Sequence, residues 1–183
     1  GMLGVVDDIL VDRAFIAERQ SSAAELCTIA DLASPAPHFV ANALAAAALA
    51  RSHGVSTAAV RDALSAFRPG AHRITEIARV GEVTWVDDSK ATNPPAALAS
   101  LQAYDPVVWI AGGLAKGAHF DELVGKVRDR LRGVVLIGRD APLIAEALAR
   151  HAPDVPVIRI DAGETGPHGP MDRVVTEAAA LAR

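Results

Sequence analysis

The pattern of hydrophobic and polar positions changes near residue 70 and divides the chain into two parts. The first part predicts a β-hairpin over 4–16 that turns at Asp7-Asp8, a strand or irregular segment over 23–33, a helix over 38–53 and a second helix after Ser56. Pro37 and Gly54 suit the start and the end of the first helix, and Ser56 suits the cap of the second. Arg68-Pro-Gly-Ala71 is the predicted domain boundary.

The second part, residues 71–183, alternates short strands with helices. Strands are predicted over 74–80, 83–86, 107–111, 134–137 and 157–160, and helices over 94–102, 120–131, 142–151 and 171–183. The strands at 107 and 134 are continuous apolar runs, which favour a parallel sheet buried on both faces. We predict an α/β fold in which residues from about 74 onward form one mainly parallel sheet flanked by helices. Its buried positions should include Val107, Val108, Ile110, Val134, Leu136 and Ile137.

Composition and charge narrow the class of protein. The 183 residues are 51% hydrophobic and 22% charged, which is typical of a folded globular protein. The net charge of −4 and the pI of about 5.8 favour neither nucleic acid nor an anionic membrane as a partner. Cys27 is the only cysteine, so no internal disulfide can form. The lack of a signal peptide or a transmembrane run predicts the cytoplasm.

Both ends of the sequence indicate a piece of a longer protein. Gly1 precedes a methionine, and the chain stops at Arg183 inside an apolar helical pattern without a C-cap signal. Residues 1–68 contain too few strands to bury an apolar helix face on their own. We expect exposed apolar surface there, which copies of the chain would cover by self-association. The predicted helix face consists of Leu44, Ala48 and Leu49.

The stretch Val86-Asp-Asp-Ser-Lys-Ala-Thr-Asn-Pro-Pro95 crowds two carboxylates, two hydroxyls, an ammonium and an amide onto one strand end. One interpretation is a polar loop in which Asp or Thr caps the next helix. The other is a ligand site, because open α/β sheets bind ligands where strand ends meet helix starts. Lys90, set among carboxylates and hydroxyls, would then be a cation of fixed position.

A second strand end carries Gly112-Gly-Leu-Ala-Lys-Gly117. It is neither a Walker A loop nor the dinucleotide-binding pattern Gly-x-Gly-x-x-Gly. Glycines here can simply turn the strand into a loop, or they can let the backbone approach a ligand. In the second case Lys116 supplies a point charge for a carboxylate or phosphate. We expect this loop and Asp88–Asn93 to lie at the same carboxyl edge of the sheet.

Other candidates carry weaker signals. Arg73 is either a solvated side chain beside a hinge or an arginine that reaches a nucleotide bound between domains. Asn42, one turn after His38, is more often a packing or capping amide than a ligand contact. The histidines His119, His151 and His168 have no metal-ligand spacing, so we predict no metal site from them. Cys27, being alone, is predicted to be a core residue.

The run Trp85-Val-Asp-Asp-Ser-Lys-Ala-Thr-Asn93, followed by Ile110-Ala-Gly-Gly-Leu-Ala-Lys-Gly117, resembles the Mur ligase family of peptidoglycan synthesis. Ser-Lys-Ala-Thr-Asn is typical of the branch that adds D-glutamate; sister Mur ligases and folylpolyglutamate synthase carry other residues there. His72-Arg73 and the helix of His38 and Asn42 fit the same pattern. Phe39 departs from it, since other members can carry Asn there. The resemblance covers nearly the whole chain.

The resemblance implies the domain plan. Residues 1–70 would be the end of a central P-loop ATPase domain, and residues 71–183 most of a Rossmann-like C-terminal domain. The 183 residues contain no Gly-x4-Gly-Lys-Ser/Thr, so the phosphate cradle and the Mg²⁺-binding Ser/Thr are expected outside this chain. A further D-glutamate-binding serine is expected after Arg183. The chain alone is therefore expected to be inactive, and the whole enzyme is expected to be monomeric.

The resemblance also implies the reaction and its residues. ATP, with Mg²⁺, phosphorylates the carboxylate of UDP-N-acetylmuramoyl-L-alanine, and the amine of D-glutamate then attacks the acyl phosphate to form an amide. By position, the nucleotide is contacted by Asn42, Arg73 and Asp88, charge is stabilised by Lys90, and D-glutamate is held by Thr92 and Lys116. The alternatives are another Mur-type or folylpolyglutamate-type amino acid ligase, and a non-catalytic ligand-binding α/β module.

Overall fold

The structure is a computed structural model that describes residues 1–161 and 169–183. The chain forms two compact units, residues 1–70 and 71–183. None of the described helices has both the length and the apolar character that crossing a membrane requires.

The first unit consists of strands β1 (Leu3–Val6), β2 (Ile9–Asp12) and β3 (Ala24–Thr28), followed by helices α1 (Pro37–Ser52) and α2 (Thr57–Ala66). The strands pair antiparallel in the order β1-β2-β3, which confirms the predicted hairpin and its turn. Asp7 in that turn has a φ of 54°, a conformation that Asp tolerates better than most residues. The segment over 23–33 forms β3 and a 3₁₀ turn, in which Asp31 accepts 2.8 Å hydrogen bonds from the Thr28 amide and hydroxyl.

Both helices of the first unit begin where the sequence predicts. Pro37 lies in the first turn of α1, and the Ser56 side chain caps α2 by accepting a 3.2 Å hydrogen bond from the Ala59 amide. Side chains of β2, β3, α1 and α2 form the core of the unit. Its buried members are Leu10, Leu26, Cys27, Ala43, Ala47 and Val60.

The buried face of α1 differs from the prediction. Ala43 and Ala47 are buried, whereas Leu44 and Ala48 are half-buried and Leu49 is 68% exposed. The helix is apolar on nearly all sides, so hydrophobicity alone does not mark a face, and small alanines allow the helix to approach the core closely. The exposed apolar side chains expected on residues 1–68 are present: Met2, Val5, Val6, Phe15, Leu49, Val55 and Phe67.

An ion pair between Asp12 and Arg51 fixes the end of β2 against α1. The Asp12 carboxylate is fully buried and accepts hydrogen bonds from the Ala14 amide (2.8 Å), the Phe15 amide (2.9 Å) and Arg51 Nε (2.8 Å). The other Arg51 nitrogens donate to the carbonyl oxygens of Val55 and Phe15. Burial acts to raise the pKa of Asp12, but these hydrogen bonds outweigh it and the pKa lies below its usual value.

The second unit contains strands and helices in alternation. Its strands are β4 (Thr75–Val80), β5 (Val83–Asp87), β6 (Val107–Gly112), β7 (Leu131–Ile137) and β8 (Val157–Ile160), and its helices are α3 (Pro94–Leu101), α4 (Asp121–Val127), α5 (Ala141–His151) and α6 (Pro170–Leu181). β6, β7 and β8 form a parallel sheet in that order, and β4 and β5 form an antiparallel ribbon. The predicted α/β class and parallel sheet are confirmed.

The prediction of a single sheet from residue 74 onward is wrong, because β4 and β5 pair with each other in a separate ribbon. Gly81, with a φ of 62°, permits the tight turn that joins them, and pairing between neighbours in sequence needs no crossover. Trp85 of β5 packs against the same apolar cluster as Val108 and Ile110 of β6. Side-chain packing therefore joins the ribbon to the sheet.

β7 is the central strand of the sheet and is buried on both faces. Val134 and Leu136 belong to a core shared with α3, α4 and α5, and Val135 belongs to a second core shared with α6. Because alternate residues of a strand point to opposite faces, the helices lie on both sides of the sheet, as predicted. Of the six positions predicted to be buried, Val134 and Leu136 are buried. The other four are half-buried, since β6 is an edge strand here and Ile137 ends β7: Val107, Val108, Ile110 and Ile137.

The helix predicted over 120–131 is shorter than expected. α4 ends at Val127, a 3₁₀ turn covers Arg128–Arg130, and β7 begins at Leu131. Leu131 is buried and pairs with Val107 at the start of β6. Because β7 begins at Leu131 in order to pair with the first residue of β6, α4 ends earlier than predicted.

We predict that Asp12→Ala lowers the free energy of unfolding by about 3–5 kcal/mol, because it leaves the largely buried Arg51 charge and the amides of Ala14 and Phe15 without their acceptor. Chemical denaturation of the chain measures this. Asp62→Ala on the exposed face of α2 is the matched control, with an expected change within about 0.5 kcal/mol. Equal effects of the two substitutions would contradict the prediction. Because the folded pKa of Asp12 is lowered, the stabilisation is present above the unfolded value of 3.8 and is lost as the pH falls below it.

Candidate functional site

The polar stretch after β5 folds into a tight loop that leads into α3. The Asp87 carboxylate accepts a 3.0 Å hydrogen bond from the Ser89 amide, and the Asp88 carbonyl accepts one of 2.8 Å from the Ala91 amide. Asn93 caps α3 by accepting a 2.9 Å hydrogen bond from the Ala96 amide. The cap is therefore an asparagine rather than Asp or Thr, and capping does not account for Asp88, Lys90 or Thr92.

The Asp88 carboxylate is held by the chain on both of its oxygens. Oδ1 accepts a 3.1 Å hydrogen bond from the Ile74 amide, and Oδ2 accepts one from the Ser100 hydroxyl of α3. Carboxylate oxygens have further lone pairs, so Asp88 can still accept from a ligand. Its orientation is fixed before any ligand arrives.

The segment His72–Ile74 is tied to this loop by three hydrogen bonds. The Lys90 amide donates to the His72 carbonyl (3.1 Å), His72 Nδ1 pairs with Asp87 Oδ2 (2.6 Å), and the third bond runs from Ile74 to Asp88. His72 and Ile74 have φ values of 66° and 47°, which are costly for a non-glycine residue, and most so for β-branched Ile. The three bonds hold this strained backbone, and Arg73 lies at its centre.

Asp87 is a site residue that the sequence analysis does not identify. Hydrogen bonds from the Ser89 amide and from His72 lower its pKa to about 2. It is therefore ionised near neutral pH and forms an ion pair with His72 whenever that ring is protonated. Ser100 is the other unidentified partner in this loop. Both contacts join residues 12 to 15 positions apart, which no local pattern reveals.

The cations of this loop are available to a ligand. Arg73, Lys90 and Thr92 are exposed. Within residues 1–161 and 169–183, no hydrogen bond or ion pair engages the Lys90 ammonium or the Arg73 guanidinium. Two fixed carboxylates and two free cations thus lie on one connected loop system.

The glycines of the second loop allow a close backbone approach between β6 and β7. A Cβ atom on Gly112 would lie 1.8 Å from the Ile137 carbonyl oxygen, and one on Gly138 would lie 2.9 Å from the Gly113 nitrogen. Only glycine fits at these positions. The loop therefore packs against the carboxyl end of β7 and presents Lys116, which is exposed and has a φ of 49°.

Asp140, at the start of α5, holds the second loop and was not identified from the sequence. Its carboxylate accepts a 2.7 Å hydrogen bond from the Ala115 amide, and its own amide donates to the Gly113 carbonyl at 3.2 Å. The available signal was Gly138-Arg-Asp140, a polar group placed directly after a predicted strand.

The predicted site residues lie on three parts of the fold. Arg73, Asp88, Lys90 and Thr92 belong to one hydrogen-bonded loop system, whereas Lys116 lies on the loop after β6. The second loop is at the carboxyl edge of the parallel sheet, as predicted. The first loop follows β5 of the ribbon, so the prediction that both loops lie at the edge of one sheet is wrong. Asn42 is exposed on α1, in the unit of residues 1–70.

The remaining candidates have structural roles or none. His151 Nε2 and Arg150 both contact the Asp121 carboxylate, at 2.9 and 2.8 Å, and so join α5 to the start of α4. His168 lies outside the described residues. Elsewhere in the described chain, no three His, Cys, Asp or Glu side chains gather as a metal site requires. Cys27 is buried, and burial raises the pKa of its thiol, as expected for a core residue.

The chain is similar to known proteins over nearly its whole length. Residues 72–179 match the family described as Mur ligase, glutamate ligase domain. A UDP-N-acetylmuramoylalanine--D-glutamate ligase of Streptomyces avermitilis is 64% identical over 180 residues, and one of Thermobifida fusca is 56% identical over 183. These matches cover 98% and 100% of this chain, but only 38% and 39% of the relatives. The chain thus spans about two fifths of the length of the curated relatives it matches.

Solved structures share the fold. The UDP-N-acetylmuramate-alanine ligase MurC of Thermotoga maritima aligns with a TM-score of 0.57 at 21% identity, covering 84% of this chain and 35% of its own. MurF of Acinetobacter baumannii aligns with a TM-score of 0.54 at 20% identity, covering 86% and 35%. At such identities the likeness concerns the fold alone.

We predict that the pKa of Asp87 rises from about 2 toward its usual 3.8 in a His72→Ala variant, without reaching it, because the Ser89 amide still donates. Carboxyl ¹³C NMR near pH 3 measures this as a larger protonated fraction of Asp87. Since the folded pKa is depressed, the stabilisation is present above pH 3.8 and is lost as the pH falls toward 2. His119→Ala, an exposed histidine elsewhere, is the control and should leave the titration unchanged. A protonated fraction that His72→Ala does not alter would contradict the ion pair.

Proposed function

The chain belongs to the Mur ligase family, and on that basis we propose that it is part of an ATP-dependent amide ligase of peptidoglycan synthesis. The proposed reaction adds D-glutamate to UDP-N-acetylmuramoyl-L-alanine. The observation that carries the proposal is the loop Ser89-Lys-Ala-Thr-Asn93, whose exposed lysine lies beside a clamped arginine. The names of the relatives that are 56–64% identical support the choice of acceptor.

The proposed chemistry proceeds in two steps. A carboxylate oxygen of the UDP substrate attacks the γ-phosphorus of ATP, and ADP leaves, giving an acyl phosphate. The amine of D-glutamate attacks the acyl carbon, and inorganic phosphate leaves as the amide forms and the amine loses a proton. Charge builds on the phosphoryl and carbonyl oxygens in both steps, so fixed cations are the main catalytic requirement. Lys90, exposed and free of ion pairs in the described chain, is the proposed catalytic cation.

The remaining residues are proposed to bind substrates. Arg73, Asp88 and Asn42 contact the nucleotide, and Thr92 and Lys116 hold the carboxylates of D-glutamate. The preset orientation of the Asp88 carboxylate supports a nucleotide site, because a polar group fixed in advance loses less entropy when it binds. The hydrogen bonds on either side of Arg73 fix its backbone and leave its exposed guanidinium able to reach a ligand. Lys116 offers a flexible point charge to a carboxylate.

Magnesium is proposed to be bound mainly by residues outside this chain, as the resemblance implies. The part of the chain that the structure describes brings no three acidic, His or Cys side chains together. We assign Mg²⁺ to the P-loop domain of the whole ligase, which would hold it with the nucleotide phosphates. The residues of this chain act on the substrates directly.

The domain plan is also proposed. Residues 1–70 are proposed to be the end of the central ATPase domain, and residues 71–183 most of the Rossmann-like C-terminal domain. A whole enzyme of this kind is proposed to act as a cytoplasmic monomer. The apolar side chains exposed on the first unit are those that an adjoining part of the central domain would cover.

We predict that the full-length ligase releases phosphate from ATP when it is given UDP-N-acetylmuramoyl-L-alanine and D-glutamate. L-glutamate, L-lysine or meso-diaminopimelate in place of D-glutamate should give little turnover. The 183-residue chain alone should give none with any acceptor, since it has no Walker A loop to position the phosphates. Phosphate release and mass spectrometry of the product measure both results. Preference for another amino acid would identify a different ligase, and turnover by the purified chain above a buffer control would refute the dependence on a P-loop.

We predict that substitutions of Lys90 and Lys116 impair the full-length ligase in different ways. Lys90→Ala should lower kcat on the order of 10²–10³-fold, the scale for removing one preorganised group that meets developing charge. Lys116→Ala should raise the KM for D-glutamate more than it lowers kcat, because it meets a carboxylate present in the ground and transition states alike. Lys126→Ala, which removes the third lysine of residues 1–183, is the control, since that side chain pairs with Glu122 on the surface of α4. Normal turnover by Lys90→Ala would refute its catalytic role.

A further inference from the structure

The Asp140 side chain bonds to a distant loop and not to the helix that it precedes. Asp140 is the N-cap residue of α5, where an aspartate usually accepts hydrogen bonds from the first amides of its own helix. The Asp140 side chain makes no such bond. Its Oδ2 instead accepts a 2.7 Å hydrogen bond from the Ala115 amide, 25 positions earlier in the chain. The carboxylate serves the loop after β6 rather than the helix.

The backbone of Asp140 contacts the same loop at a second point, where its amide donates to the Gly113 carbonyl (3.2 Å). The Gly113 amide in turn donates to the Ile137 carbonyl (3.3 Å). These bonds fix the backbone on both sides of Leu114, directly before Lys116. A hydrogen bond to a charged acceptor is stronger than one between neutral groups, so the bond to Ala115 is the firmest of the three.

Lys116 needs such support. Its φ of 49° lies in the left-handed region, which a lysine backbone does not favour, and its side chain is exposed. Without a bond to Ala115, the backbone of Lys116 can relax to an ordinary conformation. The Cα–Cβ bond would then point elsewhere and carry the ammonium with it.

We infer that Asp140 is a positioning residue for the acceptor amino acid. It holds the turn that carries Lys116 and so sets where the lysine ammonium meets a carboxylate of D-glutamate. Asp140 itself does not touch the substrate. This inference rests on the proposed function, in which Lys116 binds D-glutamate.

Three substitutions in the full-length ligase separate this role from helix capping. Asp140→Asn keeps an oxygen at the same distance from the backbone and can still accept from the Ala115 amide. Asp140→Ser can cap α5, but its hydroxyl is one bond shorter and does not reach Ala115. Asp140→Ala can do neither. Asp154→Ala, an exposed aspartate in the turn after α5, is the matched control.

The KM for D-glutamate should rise about 10-fold in the Ala and Ser variants, below the roughly 10²-fold cost of a full 1 Å misplacement. In both variants kcat should change much less, and the Asn variant and the control should match the unsubstituted enzyme. Rescue by Ser as well as by Asn would overturn the inference in favour of a cap, because both residues cap helices. A lowered melting temperature in the Ala variant with an unchanged KM would overturn it in favour of a purely structural role.

A double substitution tests whether Asp140 acts through Lys116. Adding Asp140→Ala to Lys116→Ala should raise the KM for D-glutamate no further, whereas an additive effect would overturn the inference. If Lys116→Ala itself leaves the KM unchanged, the proposed acceptor site is wrong. If Lys116→Ala raises the KM and Asp140→Ala does not, only the positioning role is wrong.

The 183-residue chain provides a readout that is independent of catalysis. Hydrogen exchange of the Ala115 amide should be much faster in Asp140→Ala and Asp140→Ser than in the unsubstituted chain, and only slightly faster in Asp140→Asn, whose neutral oxygen still accepts the bond. Equal exchange rates in all four chains would overturn the inference, because the bond on which it depends would then not protect the amide.

Discussion

The burial of β7 on both faces is the constraint on which residues 71–183 depend. Val134 and Leu136 face α3, α4 and α5, while Val135 faces α6, and all three side chains are fully buried. Each contributes about 1.5–3 kcal/mol through the hydrophobic effect, and a slip of one residue would reverse every contact. The register of β6 on β7 therefore has no freedom. That register brings Gly112 against Ile137 and places Asp140 within hydrogen-bonding distance of Gly113 and Ala115.

Much of the fold could be predicted from the sequence, because local signals mark most element ends. The residues of β8 match the prediction, and α5 begins one residue before it, since apolar runs and prolines bound them. The choice of strand partners could not be predicted in the same way. The apolar pattern of the two runs within residues 75–87 fits either a strand of the parallel sheet or a ribbon. The short turn at Gly81-Glu82 is the one local signal that favours the ribbon.

The candidate site, like the fold, could be predicted from the sequence only in part. The residue types and loops that carry Asp88, Lys90 and Lys116 are evident from the sequence, because polar groups at strand ends stand out against apolar strands. The partners that orient them are not evident. These partners are His72, Ser100 and Asp140, and each lies 12 or more positions from the residue that it holds. Each also occupies a position in a hinge, a helix or a helix cap where another polar residue would be equally acceptable. Only the folded backbone shows which side chains meet.

The clamp on His72–Ile74 has a consequence for motion. Three hydrogen bonds join this segment to Asp87, Asp88 and Lys90, so Arg73 and Lys90 belong to one rigid body. The separation of their backbones is set within residues 71–183 and is the same before and after any movement of this unit as a whole, while the two exposed side chains keep their own rotamer freedom. A nucleotide that attracts the arginine therefore brings the lysine with it. In the proposed ligase, a movement of this unit toward ATP would therefore deliver both residues together.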